Sequence, residues 1–119
     1  MNQKKKREFV QDFLLHVGIA PNIKGFKALT EAVLLAAEEP SVMEAVTKEL
    51  YPAVAQKVGS TASRAERAIR HAIETCFERG AVEEIMKACK LYPKLNKGKY
   101  SNSEFISAAV LLVRREFCE

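Results

Sequence analysis

The chain has 119 residues, of which 48% are hydrophobic, and a net charge of +4 at pH 7. This length is typical of one domain that can bury a core without disulfides or structural metals. No apolar run reaches the roughly 18 residues of a membrane-spanning helix, and the N-terminus lacks the apolar segment of a signal peptide. We therefore expect a cytoplasmic protein with no membrane contact.

The three cysteines lack CxxC spacing, which favours reduced thiols and predicts no metal and no cofactor.

The excess positive charge is concentrated in one part of the chain. Residues 62–100 carry nine basic and five acidic side chains, whereas residues 1–61 carry eight and seven, and residues 101–119 carry two and three. A local basic footprint is typical of proteins that bind nucleic acid. The distribution therefore favours a nucleic-acid partner for residues 62–100.

The first third of the chain predicts two helices behind a basic tail. We expect residues 1–8 to be a flexible N-terminal tail, ahead of a folded domain at residues 9–119. Apolar residues spaced by three and four predict a helix that begins near Phe9 and ends at Gly18. The same spacing predicts a second helix over residues 26–39, which ends before a proline.

Two short helices are predicted in the middle of the chain. Ser41 and Glu44 have the spacing of a capping box, which predicts a helix over residues 42–50. Pro52 suits the first turn of the next helix, and Gly59 closes that helix.

Three more helices are predicted in the second half. A long one covers residues 62–79, a short one covers residues 81–90, and a closing one covers residues 105–117 behind a second capping box at Ser101 and Glu104. No stretch alternates with the period of a strand for long enough to indicate a sheet. The predicted fold class is all-α.

Residues 50–74, LYPAVAQKVGSTASRAERAIRHAIE, have the pattern of a helix-turn-helix. This motif needs a short helix, a turn such as that at Gly59, and a second helix that begins a few residues later. Thr61 is placed to accept a hydrogen bond from the exposed N–H groups of that second helix. In proteins that bind DNA with this motif, the N-terminal part of the second helix enters the major groove.

The predicted helix over residues 62–79 has two faces. At about 100° per residue, alanines and isoleucines form one apolar stripe, and the polar side chains Arg64, Glu66, Arg67, Arg70 and His71 lie away from it. Two interpretations of the polar face are open. It is a solvated surface held together by pairs such as Glu66–Arg70, as in a helical protein-interaction module, or it is a surface that reads DNA.

Three stretches of the sequence are similar to a known family: GIAPNIKGFKAL, the helix-turn-helix stretch above, and NSEFI. Over residues 9–117 the chain resembles the DNA-binding effector domain of stage zero sporulation protein A, the response regulator that starts endospore formation. The resemblance implies a compact bundle of about six helices that contains a helix-turn-helix. It also implies a transcription activator or repressor that binds TGTCGAA-like boxes in double-stranded DNA, self-associates on tandem boxes, and contacts an RNA polymerase sigma factor.

The resemblance further implies that the second helix contacts DNA through the five polar residues of its exposed face. Their chemistry agrees, because arginine can bond to O6 and N7 of guanine in bidentate fashion and glutamate can accept from N4 of cytosine. We assign base edges to Arg64, Glu66 and Arg67. We assign phosphate or flanking contacts to Ser60, Thr61, Ser63, Arg70, His71, Lys99, Ser101 and Asn102.

The start of the closing helix has two interpretations of its own. Lys99, Ser101 and Asn102 lead into a helix N-terminus, which is a natural phosphate site, and a solvated loop is an equal alternative.

The sequence does not predict an enzyme, because it has no nucleophile elbow, no phosphate loop and no metal cluster. Relatives in the family usually carry an N-terminal phosphoacceptor receiver domain, which these 119 residues do not include. The chain is therefore expected to be either an excised effector domain or a stand-alone relative.

Overall fold

The computed structural model describes residues 2–79 and 100–117. These residues form five α-helices and no strand, which confirms the all-α prediction. The helices are α1 (Asn2–His16), α2 (Lys24–Glu38), α3 (Tyr51–Val58), α4 (Ala62–Arg79) and α5 (Asn102–Glu116). The helix predicted over residues 81–90 lies outside the described residues, so the total number of helices stays a prediction.

The central helix is α2, which packs against α1, α3, α4 and α5. Its sequence explains this position, because apolar side chains occur on most of its sides and its buried residues run from Gly25 to Ala36. Leu29 of α2, Ile69 of α4 and Phe105 of α5 are fully buried. The hydrophobic core therefore forms around α2, and α4 is held by one face against it.

The N-terminus differs from the sequence-based expectation. Residues 2–8, which we expected to form a flexible tail, are instead about the first two turns of α1. Polar contacts with α2 hold this part of the helix: Arg7 donates to Glu31 at 2.6 Å, and Gln3 donates to Glu38 at 2.5 Å. The expectation of a tail rested on the lysine content of this segment. The local sequence did not indicate these contacts, because the partners of Arg7 and Gln3 are 24 and 35 residues away along the chain.

The segment between α2 and α3 also differs from the prediction. The capping box at Ser41 and Glu44 does not form, and a 3-10 helix (Pro40–Glu44) is followed by a π-helical turn (Val46–Leu50) that leads into α3. The reason is Pro40, which occupies the first turn of the 3-10 helix with Glu39 as the residue before it. Ser41 therefore lies inside the turn and not ahead of it.

The junction between α3 and α4 follows the prediction closely. Gly59 adopts the left-handed conformation at φ 67°, and the N–H of Ser60 donates to the carbonyl of Ala55 at 2.9 Å, which ends α3. The hydroxyl of Thr61 then accepts from the N–H of Arg64 at 3.2 Å and caps α4. Gly59 and Thr61 therefore define the three-residue connection between α3 and α4.

The start of α5 carries the second predicted capping box, which is confirmed. The N–H of Glu104 donates to the Ser101 hydroxyl at 3.2 Å, and the N–H of Ser101 donates to the Glu104 carboxylate at 2.8 Å. The capping box therefore sets the residue at which α5 begins.

Candidate nucleic-acid interface

The helix α4 has one buried and one exposed face. Its core side consists of Ala65, Ile69, Ala72, Ile73 and Cys76, all of which are at most 2% exposed. The predicted contact residues lie on the other side, where Ser63, Arg64, Arg67, Arg70 and His71 are exposed, as are Ser60 and Thr61 in the turn before the helix. The partition that helical periodicity predicted is confirmed, and the polar face is open to solvent.

Glu66 and Arg70 form the predicted i,i+4 pair on this face. Two guanidinium nitrogens of Arg70 donate to the two carboxylate oxygens of Glu66, at 3.1 and 3.3 Å. The hydrogen bond and the charge of Glu66 raise the pKa of Arg70 above its usual value. By contrast, the side chains of Arg64 and Arg67 bond to no other described residue, so the two arginines nearest the start of α4 have their donors free.

Asn102 is half-buried, and its side-chain amide is engaged in hydrogen bonds within the protein. Its side-chain amide lies 3.1 Å from the Tyr51 hydroxyl, 3.3 Å from the Glu66 carbonyl and 3.5 Å from the Glu66 carboxylate, and it donates to these oxygens. This one side chain therefore connects α5 to α3 and α4. The sequence suggested a phosphate contact for Asn102, and it had no signal for this bridge because Tyr51 is 51 residues away.

Tyr51 contributes its hydroxyl to this network from the start of α3. Burial raises the pKa of Tyr51, the hydrogen bond from Asn102 lowers it, and the Glu66 charge raises it, with a net upward shift. The phenol is therefore protonated at neutral pH and accepts from the amide. The pKa of Tyr51 is raised in the folded state. The stability that the neutral, hydrogen-bonded phenol contributes is therefore fully present below about pH 10 and is lost as the pH rises through the folded-state pKa.

Two grooves lie on either side of α4. The first, which we name the α2–α4 groove, has a volume of about 720 Å³, and its polar lining residues include Ser60, Lys24, Lys27, Arg64, Arg67 and His71. The second, which we name the α4–α5 groove, has a volume of about 320 Å³ and is lined by residues that include Glu66, Arg70, Glu74, Ser101 and Asn102. The exposed face of α4 therefore stands between two depressions.

Lys24 and Lys27 are the basic residues that the sequence-based prediction missed. They lie in the first turn of α2, and both are exposed. The segment NIKGFK belongs to one of the stretches that resemble the family, but nothing in its local pattern indicates that it packs beside α4. At the other flank, Ser101 is engaged in its capping box, and Lys99 lies outside the described residues.

The close packing of α2 on α4 depends on Gly25. A Cβ atom at this position would lie 2.5 Å from the Cβ of Ala72 and would also clash with the carbonyl oxygen of Ala68. Only glycine therefore lets the first turn of α2 approach the backbone of α4 this closely. This contact brings the two lysines to the edge of the polar face.

Within residues 2–79 and 100–117, no helix is both long and apolar enough to cross a membrane. The same residues contain no group of three or more His, Cys, Asp or Glu side chains that could hold a metal ion.

Residues 10–112 match the family described as sporulation initiation factor Spo0A C terminal. The chain belongs to this family. The match extends from α1 into α5 and confirms the resemblance deduced from the sequence. The family is one of DNA-binding domains that regulate transcription in sporulation, and it is a regulatory family and not an enzymatic one.

Proposed function

We propose that this chain is a sequence-specific DNA-binding transcription regulator of sporulation-type genes. In this proposal α3 and α4 are a helix-turn-helix, and α4 reads TGTCGAA-like boxes in the major groove. The observation that carries the proposal is the exposed pair Arg64 and Arg67, which follow the capped glycine turn and whose side-chain donors bond to none of the described residues. Arginine in this place on a helix-turn-helix is suited to guanine.

The shape of the molecule supports this placement of α4. An α-helix with its side chains is about 10–12 Å across, and the major groove is about 12 Å wide. The helix has an exposed face between two grooves, while its apolar stripe is anchored in the core. The exposed face of α4 can therefore enter a groove of DNA while the apolar stripe keeps its contacts with the core.

Glu66 is the most informative residue of the proposed reading face. A carboxylate close to phosphates is repelled by them, so its presence favours a contact with a base, and N4 of cytosine is a donor that it can accept from. Arg70 and Asn102 restrict its position through their hydrogen bonds. We propose that Arg64, Glu66 and Arg67 read base edges and that Arg70 also reaches a phosphate.

The remaining predicted residues are proposed to bind phosphates and flanking groups. Exposed hydroxyls and a ring nitrogen suit this role, which fixes the register of a protein on the duplex without reading its sequence. These residues are Ser60, Thr61, Ser63, His71, Lys99 and Ser101. For Asn102, whose amide already donates to Tyr51 and Glu66, the proposed role is a flanking one in which it positions Glu66. We also propose that the protein is cytoplasmic and associated with the nucleoid, contacts an RNA polymerase sigma factor and self-associates on tandem boxes, for which the family membership is the support.

The test is a binding titration against a TGTCGAA-containing duplex and a scrambled duplex of the same length. We expect Arg67→Ala to lose about 1–3 kcal/mol of binding free energy on the box, and much less on the scrambled duplex, because a bidentate base contact is removed. The matched control is Arg114→Ala, which removes an exposed arginine from the far end of α5.

Two outcomes would contradict the proposal. Box discrimination that is unchanged in the Arg67 variant would remove Arg67 from the reading face. Equal affinity of the wild-type protein for the two duplexes would favour the alternative, a helical module whose charged face is solvated and binds no specific sequence.

A further inference from the structure

We infer that the α2–α4 groove is a second DNA contact, in which Lys24 and Lys27 bind phosphates of one strand. The inference rests on the proposed function, because it takes α4 to lie in the major groove. It adds to that function a contact from a helix outside the α3–α4 motif.

The position of the two lysines supports this contact. Three residues apart in one helix, they lie on neighbouring positions of its surface, and both line the groove together with Arg64 and Arg67 of α4. Gly25 lies between them in the sequence and packs against Ala68. The lysines therefore flank the point at which α2 crosses α4 and lie beside the proposed reading face.

The charge of the groove also fits a phosphate. Every charged residue in its described lining is basic, and none carries a carboxylate. The α4–α5 groove, by contrast, is lined by Glu66 and Glu74 as well as by Arg70. A polyanion is attracted to a site with cations alone, so the α2 flank is the more favourable of the two for a DNA backbone.

The geometry of the duplex gives each groove a role. A helix in the major groove has a sugar-phosphate backbone on either side of it, because the two strands form the walls of that groove. The sequence-based assignment placed phosphate or flanking contacts at the start of α5, on one side of α4, and also at Ser60 and His71, which line the α2–α4 groove, but at no residue of α2. The α2–α4 groove lies on the other side, and it places Lys24 and Lys27 where the second backbone passes.

The experiment is a salt titration of the double variant Lys24→Ala/Lys27→Ala on the TGTCGAA duplex and the scrambled duplex. We expect the affinity for both duplexes to fall by the same factor, on the order of tenfold, and the slope of log K against log salt to become shallower by about 2. The matched control is Lys5→Ala/Lys48→Ala, which removes two exposed lysines that line neither groove. Thermal unfolding should be the same in both variants because all four side chains are exposed.

Phosphate-ethylation interference gives the position of the contact. With the wild-type protein, ethylation of phosphates on both strands should weaken binding, and in the Lys24→Ala/Lys27→Ala variant one or two of these positions on a single strand should lose their effect. A salt slope equal to that of the control, a loss confined to the TGTCGAA duplex, or an unchanged interference pattern would each overturn the inference.

The same series separates this inference from the proposed base reading. A lysine-dependent loss on every duplex with no box preference in the wild-type protein would support the groove contact and contradict base reading by α4. A box preference that depends on Arg67, together with an affinity for both duplexes that is unchanged in the Lys24→Ala/Lys27→Ala variant, would do the reverse. Failure of the wild-type protein to bind either duplex would overturn both.

Discussion

Gly25 shows how one residue determines the relation between two helices. Gly25 lies where the first turn of α2 packs against α4. No larger side chain fits there, because the nearest atoms include the backbone carbonyl of Ala68. Gly59 is required for a different reason, since its φ of 67° is in the left-handed region, while no atom of the described residues lies within 4 Å of a Cβ there. One glycine thus serves packing and the other serves backbone conformation.

These two causes predict different consequences of the same substitution. We expect Gly25→Ala to lower the free energy of unfolding by about 1–3 kcal/mol, because α2 must move away from α4. Gly59→Ala should cost about 1–2 kcal/mol through its left-handed backbone alone. Denaturant unfolding measures both values, and DNA titration separates them further, since only Gly25→Ala should displace Lys24 and Lys27. Identical DNA binding by the two variants would contradict the packing role of Gly25.

Glu66 combines a structural contact with a proposed recognition role at the residue scale. Its carboxylate forms an i,i+4 ion pair with Arg70, which is the arrangement expected of a solvated helix face. The same pair holds the carboxylate at the surface in one orientation. The two interpretations of the polar face are therefore compatible at this residue. What distinguishes them is Arg64 and Arg67, whose donors have no partner among the described residues.

At the scale of elements, α5 is coupled to α4 through the side chain of Asn102. The bridge joins the first residue of α5 to the carbonyl and carboxylate of Glu66 and to the hydroxyl of Tyr51 at the start of α3. Because all three helices meet at the half-buried amide, a change there should affect both stability and the orientation of Glu66.

We expect Asn102→Ala to lower the free energy of unfolding by about 1–2 kcal/mol, since acceptors on two helices lose their donor. A double-mutant cycle with Tyr51→Phe should give a favourable coupling energy between the two side chains. The control is Ser107→Ala on the exposed side of α5, which should change stability by no more than about 0.5 kcal/mol. Additive effects of the Asn102 and Tyr51 substitutions would show that the hydrogen bond contributes nothing.

The two capping boxes predicted from the sequence had opposite outcomes, and the local context explains both. At Ser101 the residue before the helix is extended, and both hydrogen bonds of the box form. At Ser41 the preceding proline begins a 3-10 helix one residue early, so the serine is no longer at the cap position. In this protein, the capping pattern marks a helix start where its serine is extended, as at Ser101, and not where its serine already lies inside a turn, as at Ser41.

At the scale of the whole molecule, α1 is attached to the central helix by an ion pair as well as by apolar contacts. The Glu31 side chain is only 10% exposed, whereas its partner Arg7 is 44% exposed. The carboxylate would be left nearly buried without its partner, which is unfavourable. This pair explains why the N-terminal residues belong to the folded domain.

We expect Arg7→Ala to lower the free energy of unfolding by about 1–2 kcal/mol, at the low end for a buried carboxylate because Arg7 is partly solvated. Glu31→Gln should relieve most of that loss when it is combined with Arg7→Ala, since no buried charge then remains. Lys4→Ala, on an exposed position of the same helix, serves as the control and should have little effect. Equal stability of Arg7→Ala and Lys4→Ala in denaturant unfolding would contradict this account.

The sequence by itself determined the features that depend on neighbouring residues. The faces of α4, the left-handed Gly59, the Thr61 cap and the pair Glu66–Arg70 all follow from local spacing, since their partners lie within one or two turns. The family could be recognised for the same reason, because its longest matching stretch is the continuous segment that forms α3 and α4.

Only the tertiary structure decided the contacts that join distant segments. The placement of Lys24 and Lys27 beside Arg64, the bridge from Asn102 to Tyr51 and the pair Arg7–Glu31 each connect residues at least 24 positions apart. No local periodicity encodes such distances, because they depend on how the helices cross around α2. The exposed polar face of α4 was therefore visible in the sequence, whereas the two flanks that surround it were not.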